Sequence, residues 1–174
     1  MAPGVAIHFD SLDYARMAAR LRRTPIDIKA RAFARVMARL RDMARTRVVK
    51  AASDWTDTPQ KLIRPTTQAR AIADAIDINM RTPWFALAKL GARQTARGVS
   101  VRGRGVLRGA FIARGRVLAR AGAARYPIRE LYGANPAHAI GAKPAYFEEV
   151  MAQLLETHLI PRVMHELDRL IAAA

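Results

Sequence analysis

The sequence predicts an α+β fold with a long N-terminal helix, a four-stranded antiparallel sheet and a long C-terminal helix kinked at a proline. Two segments near the ends of the chain repeat apolar residues at three- and four-residue spacings, which is the period of an amphipathic helix. Between them, short apolar runs are separated by glycines, as in strands joined by tight turns. We therefore expect a single domain over residues 1–174, mainly helical over 1–65, with the sheet over 70–122 and the last helix over 144–172.

The composition is strongly basic. There are thirty Lys and Arg residues but only fourteen Asp and Glu residues, which gives a formal net charge of +16 at pH 7. This excess predicts a polyanionic partner, either nucleic acid or an acidic protein surface. Hydrophobic residues make up 51% of the chain, enough for a real core, and the aromatic share of 6% indicates that this core is modest. The absence of cysteine excludes disulfides and thiolate metal sites, and no apolar run approaches the roughly 20 residues of a membrane span.

The N-terminal region is predicted to contain two helices. Residues 1–9 form a short strand or an arm, and a first helix follows over residues 12–21. Thr24 and Pro25 suit the N-cap and the first position of a second helix, which we expect to run over residues 26–52. Its buried stripe is predicted to comprise Phe33, Val36, Met37, Leu40, Met43, Ala44 and Val48.

Four strands are predicted in the middle of the chain. The first covers residues 72–80, where apolar and polar residues alternate, and the second covers residues 84–90. A basic loop at residues 91–98 leads to a third strand over residues 99–112, which continues through a bulge at its glycines. The fourth covers residues 116–121. Because the links between these strands are short, we expect an antiparallel meander.

The tightest turn is predicted between the third and fourth strands, at Arg114, Gly115 and Arg116. Gly115 supplies the break in the apolar pattern that a tight hairpin needs. After the fourth strand, Pro127 prevents the ladder from continuing, because proline has no N–H to donate. Residues 127–136 are therefore expected to be an irregular connector.

The last helix is expected to open at Lys143 and Pro144 and to run from Ala145 to about Ile171, with a kink at Pro161. Its apolar stripe is predicted to comprise Phe147, Val150, Met151, Leu154, Leu155, Leu159, Val163, Leu167 and either Leu170 or Ile171. The helix also carries an acidic surface that can pair with basic faces of the same subunit or of the next one. Its acidic residues are Glu148, Glu149, Glu156, Glu166 and Asp168. The first two are expected in the first turn, where the helix dipole favours them.

Catalytic chemistry is not indicated. Among the histidines, His158 and His165 lie on one predicted helix but seven residues apart, whereas a helical metal pair usually has a spacing of four. No serine lies in a G-x-S-x-G elbow, and no thiol nucleophile is available. We expect no enzymatic activity, no metal and no cofactor.

Arginines cover the predicted sheet and its loops. We expect the following to face a partner or DNA: Arg93, Arg97, Arg102, Arg104, Arg108, Arg114 and Arg116. Single-strand binding would place aromatic side chains between them, and only Phe111 and Tyr126 are available, both equally suited to the core. No helix-turn-helix or RNA-recognition signature is present. Any binding would therefore be to the nucleic-acid backbone, without reading of sequence.

An ordered pattern of short motifs runs through the same region. It consists of GAFI at residues 109–112, GR at 115–116, a strand that ends in R-x-G at 117–122 and RYPI at 125–128. This order resembles the lambda-type prophage minor tail protein Z family. The resemblance extends at lower quality over most of the chain, as far as an Ile-Pro step and a Glu-Leu pair in the last helix, although the basic loop at 91–98 is shorter than in the family.

The resemblance implies a tail-completion protein of a long-tailed phage or prophage-like particle. Such proteins act at the head-proximal end of the tail, near the tail terminator and the head–tail connector, and related neck proteins commonly form six-fold rings. It therefore implies a homo-oligomer, with a hexameric ring favoured, located at the head–tail junction of the virion after assembly in the host cytoplasm. The basic loops would line a passage for packaged DNA or dock an acidic connector. The alternative is a non-sequence-specific nucleic-acid-binding protein that uses the same Arg-rich sheet and loops.

Overall fold

The computed structural model describes residues 10–72, 75–81 and 84–173, and these residues form an α+β fold. The predicted strand or arm at residues 1–9 lies outside them. Within the described residues, the helices are α1 (Ser11–Arg23), α2 (Ile26–Thr56), α3 (Gln60–Ile63), α4 (Pro136–Ala142) and α5 (Pro144–Ala172). The strands are β1 (Thr67–Ile72), β2 (Ala75–Met80), β3 (Arg93–Thr95), β4 (Gly98–Val101), β5 (Gly105–Arg108), β6 (Ala110–Ala113), β7 (Arg116–Arg120) and β8 (Ile128–Glu130). The α+β class is therefore confirmed.

The chain divides into two compact units. The first unit comprises Met1–Ala51, Thr67–Asn79 and Lys143–Ala174, and the second comprises Ala52–Thr66 and Met80–Ala142. The first unit is mainly helical and contains the β1–β2 sheet, whereas the second contains two three-stranded sheets, β3–β4–β5 and β6–β7–β8. The described residues thus form three small antiparallel sheets. The prediction of a single four-stranded sheet is wrong. The single domain expected over residues 1–174 stays a prediction.

The helices of the first unit follow the prediction closely. The carboxylate of Asp10 caps α1 by accepting a hydrogen bond from the Leu12 N–H. Thr24 was expected to cap α2, but its hydroxyl donates to the Arg20 carbonyl at 2.9 Å and so closes α1 instead. The proline at the first position of α5 is confirmed, and α5 continues past Pro161, whose kink stays a prediction.

The core of the first unit joins α2 to α5. Its buried residues are Ile28, Ala32, Val36, Met37, Leu40, Leu154, Val163 and Leu167. The predicted stripe of α2 is buried or half-buried except at Phe33, which is 40% exposed and lies outside this cluster. On α5, Leu170 packs against the core and Ile171 is exposed, which resolves the alternative left by the sequence.

The first two predicted strands are only partly correct. Residues 72–80 contain the end of β1 and all of β2, and in β2 the predicted alternation is present, with half-buried Ile76 and Ile78 beside exposed Asp77. Residues 84–90 are not a strand. Ala86 forms one isolated bridge, and Leu87–Leu90 is a 3₁₀ helix that ends at Gly91. Leu87 and Leu90 of the short helix are buried in the core, so the apolar residues of this segment follow the packing of that helix and resemble a strand pattern only in the sequence.

Four strands occupy the segment predicted as a loop and one bulged strand. β3 lies inside the predicted loop at residues 91–98, and residues 99–112 contain most of β4, all of β5 and most of β6. The glycines in that segment lie at strand boundaries, where positive φ is needed: Gly98 and Gly105 begin β4 and β5, Gly103 lies in the turn between them, and Gly109 separates β5 from β6. The second unit's core lies beneath these strands and comprises Leu87, Leu90, Val99, Val101, Ala110 and Val117.

The predicted hairpin is confirmed. Ala113 pairs with Arg116 across Arg114 and Gly115, whose φ values of 51° and 72° are those of a two-residue turn with both central residues in the left-handed region. The expected irregular connector at residues 127–136 is partly wrong, because β8 follows Pro127 and pairs with β7. Pro127 precedes the ladder, so its missing N–H costs nothing, while its carbonyl accepts a hydrogen bond from the Ala121 N–H at 2.9 Å.

We predict that Gly98→Ala destabilises the second unit. A Cβ at Gly98 would overlap the backbone carbonyl oxygen of Leu107 on the paired strand, and its φ of 139° strains any side chain. The free energy of unfolding should fall by about 2 kcal/mol or more. Urea unfolding followed by tryptophan fluorescence reports on this unit, because Trp55 and Trp84 both belong to it.

The matched control is Gly122→Ala. A Cβ at Gly122 meets no heavy atom within 4 Å, so this variant should unfold within about 0.5 kcal/mol of the wild type. Equal urea midpoints for the two variants would show that the close approach at Gly98 does not limit stability.

Candidate functional site

All seven arginines predicted to face a partner are exposed, and all belong to the second unit. Arg93 lies in β3, Arg97 between β3 and β4, Arg102 and Arg104 between β4 and β5, Arg108 at the end of β5, Arg114 between β6 and β7, and Arg116 at the start of β7. Four of them therefore lie in turns. The two sheets that carry these arginines are joined where the Ile112 N–H donates to Gln94 Oε1 at 2.8 Å. We call these seven residues the arginine surface.

The positive charge of the chain is concentrated in the second unit. Its two segments contain fourteen Lys and Arg residues and three Asp and Glu residues, an excess of eleven. The first unit contains sixteen Lys and Arg residues and eleven Asp and Glu residues, an excess of five positive charges. A potential concentrated in this way attracts polyanions and steers their encounter.

One member of the arginine surface has an ion pair with an acid of the second unit. Arg116 Nη1 lies 3.7 Å from Glu130 Oε2, and the Tyr132 hydroxyl donates to the same oxygen at 3.3 Å. The Arg116 side chain is well exposed, so this pair contributes little to stability. It does offset part of the charge that Arg116 presents to a partner.

A groove next to the arginine surface contains both tryptophans of the chain. Trp55 and Trp84 are 47% and 61% exposed and line an open cavity of about 530 Å³ together with Arg104, Asn135 and His138. Exposed tryptophans beside an arginine suit stacking on a planar group, with the guanidinium near its charged substituent. We call this cavity the tryptophan groove. The sequence alone did not reveal it, because its residues come from the end of α2, from three separate loops and from α4.

The turn between β4 and β5 is fixed against the end of α2. Asp57 follows α2 with a φ of 49°, which non-glycine residues seldom adopt. Gly103, with a φ of 73°, lies so close that an added Cβ would be 2.5 Å from the Asp57 Cβ. The two arginines that flank Gly103 line different cavities. Arg104 lines the tryptophan groove, and Arg102 lines a second recess beside Asp57 and Thr58.

Two of the acidic residues predicted for an inter-subunit surface have partners within the first unit. Asp168 on α5 pairs with Arg20 on α1. Glu166 Oε2 lies 3.1 Å from Arg169 Nη2 and 3.7 Å from Arg35 Nη1 on α2. These carboxylates therefore tie α5 to the other helices of its own chain. Glu156 is half-buried on the same helix.

Glu148 and Glu149 differ from Glu166 and Asp168 in their position on α5 and in their partners. Because α5 begins at Pro144, both lie beyond its first turn, so the expected placement beside the helix dipole is wrong. Among the described residues, neither carboxylate has a cation within 4 Å, and Glu149 accepts only a 3.4 Å hydrogen bond from Gln153. This pair is the part of the acidic surface that remains available to a partner.

Within the described parts of the chain, no group of three or more His, Cys, Asp or Glu residues is arranged to hold a metal ion. His138 lies in the tryptophan groove, whereas His158 and His165 lie on α5. No helix in those parts is long and apolar enough to cross a bilayer.

We predict that Gly103→Ala displaces the β4–β5 turn from Asp57. The added methyl group would collide with the Asp57 side chain, and we expect a loss of about 1–3 kcal/mol beyond the strain of positive φ itself. Gly105→Ala is the matched control, because Gly105 has nearly the same φ of 71° and a Cβ there meets nothing within 4 Å. Urea unfolding and the tryptophan emission maximum measure both variants. Indistinguishable variants would exclude the Asp57 contact as a determinant of the turn.

Comparison with known proteins was made at three levels. No family model, no curated protein and no solved structure matches this chain. The resemblance to the minor tail protein Z family therefore stays a prediction, and function has to be argued from the residues and surfaces described above.

Proposed function

We propose that this chain is a structural tail-completion protein that acts at the head-proximal end of a phage-like tail and joins the tail to the head connector as a homo-oligomeric ring. The observation that carries the proposal is the fold of the motif region. The GAFI segment forms most of β6, and the GR segment lies at the hairpin turn. The run that follows forms β7, and the RYPI segment leads into β8. The motifs that carry the resemblance thus build one continuous three-stranded sheet.

The sheet gives those motif residues structural reasons for their identity. Ala110 and Val117 are buried in the second unit's core, Gly115 takes the positive φ of the turn, and the Pro127 carbonyl closes the loop back to Ala121. A pattern in which each short motif has a distinct role in one sheet is what a shared fold would require. This supports the resemblance, and through it the proposed role.

The charge distribution supports assembly with unlike surfaces. The second unit carries most of the positive excess, while the first unit presents an acidic pair without cation partners among the described residues. Head-to-tail rings need two different complementary patches on each subunit. We propose that the arginine surface docks the acidic head–tail connector or contacts packaged DNA, and that the protein takes its place beside the tail terminator without enzymatic activity.

The proposal is tested by electron microscopy of particles from a producing strain, with this protein labelled by antibody. We expect label confined to the head–tail junction. Arg104→Glu with Arg108→Glu should leave the protein folded but give separate heads and tails, because the reversed charges repel an acidic connector or DNA. Arg70→Glu, an exposed strand arginine of the first unit, is the control and should leave joined particles. Unlabelled junctions in joined, infectious particles would refute the proposal.

A second candidate function is nucleic-acid binding without sequence specificity, and the tryptophan groove favours it. Base stacking on a tryptophan contributes about 1–3 kcal/mol, so Trp84→Ala should weaken binding of single-stranded DNA about 5- to 150-fold. Tyr14→Ala is the control, because Tyr14 is 56% exposed but lies on α1 of the first unit and outside the groove. Fluorescence titration over a range of salt concentrations measures both variants. Equal affinities for the two would remove the groove from this function.

A further inference from the structure

A charged groove lies between two helices of the first unit. It has a volume of about 480 Å³ and belongs entirely to α2 and α5. Its charged and titratable lining residues are Arg35, Arg39, Asp42, Arg162, His165, Glu166 and Arg169. We call it the arginine groove. It is separate from the arginine surface, since none of the seven surface arginines lines it.

The arginine groove has more guanidinium groups than carboxylates to pair with them. Glu166 is shared by Arg35 and Arg169, and Asp42 lies 2.8 Å from its neighbour Arg41, outside the lining. Arg39 and Arg162 are thus left without a carboxylate within 4 Å among the described residues. Four arginines that line one cavity repel one another, and an added anion would relieve that repulsion.

Arg162 gives a second, independent reason that the groove suits an anion. Its Nε atom is buried and has no hydrogen-bond partner in the described part of the chain. A buried N–H donor without an acceptor is costly, and native structures seldom leave one unsatisfied. A carboxylate can accept from a guanidinium through two parallel bonds, which suits both the charge and the donor left over in this groove.

Glu148 and Glu149 match that requirement. They are adjacent carboxylates without cation partners among the described residues, and they lie beyond the reach of the helix dipole. Tyr146 lies one turn before Glu149 and is 40% exposed. Tyrosine is enriched among residues that anchor protein interfaces, so the start of α5 offers both an anchor and two anions.

We infer that the arginine groove of one copy binds the Glu148–Glu149 pair of a second copy of this chain. A chain cannot make this contact with itself, because the pair and Glu166 lie on the same helix, about 27 Å apart at 1.5 Å per residue. The contact is therefore heterologous, with the groove on one subunit and the acidic pair on the next. The inference rests on the proposed ring and names the contact that joins its subunits.

Paired charge reversals in the full-length protein test the inference. The groove variant carries Arg39→Glu and Arg162→Glu, and the acidic variant carries Glu148→Arg and Glu149→Arg. Each should weaken self-association at least about 30-fold in sedimentation velocity experiments, since each sets like charges against one another. A chain with all four reversals should recover association, because the complementary pair is restored with opposite sign. Arg47→Glu, an exposed residue of α2 outside the groove, is the control and should associate like the wild type.

Folding is controlled separately, because Arg162 is half-buried. Far-UV circular dichroism checks each variant, and Arg39→Glu alone tests the groove through an exposed side chain. A monomeric wild type, an acidic variant that associates normally, or a folded four-fold variant that stays monomeric would each overturn the inference. Such a result with antibody label still at the head–tail junction would leave the proposed function intact, whereas absence of label refutes that function whatever the contact between copies.

Discussion

The apolar contact between α2 and α5 is the interaction on which the first unit depends. Leu40 on α2 and Leu154 and Leu167 on α5 are almost fully buried in one cluster, although Leu40 and Leu154 are 114 positions apart in the sequence. Burial of each leucine contributes about 1.5–3 kcal/mol, which must offset the entropy lost in closing so long a connection. The same contact fixes the arginine groove, because its charged lining residues belong to the two helices whose apolar sides form the core. The guanidinium groups are therefore held close together by packing rather than by attraction.

The second unit has a different constraint, since it concentrates positive charge on short strands. Fourteen basic residues outnumber three acidic ones and repel one another, and in the described residues the arginine surface has one ion pair, between Arg116 and Glu130. The repulsion is tolerable because the arginines of the surface are exposed and largely in turns, where salt screens charges beyond about 8–10 Å. Folding of the small core of this unit gains nothing from such a distribution. We propose that contact with a polyanion, a requirement outside folding, accounts for this charge distribution.

The sequence predicted the elements whose apolar pattern repeats over many residues. It missed the elements that depend on contacts between distant parts of the chain. The helices α1, α2 and α5 were correct within a few residues, because their apolar stripes repeat over several turns and Pro144 marks the start of α5. The hairpin at Gly115 was also correct, since its signal is local. The strands around Gly103 and the 3₁₀ helix before Gly91 were missed, because three- and four-residue segments carry too short a pattern to separate a turn from a bulge. The partners of Glu166 and Asp168 on α2 and α1, and the cavity that Trp55 and Trp84 line together, depend on tertiary contacts and could not be predicted from spacing.

The proposed surfaces fall into different units, and this makes their roles separable. The arginine groove and the Glu148–Glu149 pair belong to the first unit, whereas the arginine surface and the tryptophan groove belong to the second. They share no lining residue, so changes to one should add to changes in the other without coupling. Self-association and polyanion binding then become two independent properties of one chain. A ring protein that docks an acidic partner needs both, because the subunits must hold one another through surfaces that leave the docking charge free. A simple nucleic-acid-binding protein needs only the surfaces of the second unit. That function alone does not explain why the arginine groove has guanidinium groups without carboxylate partners.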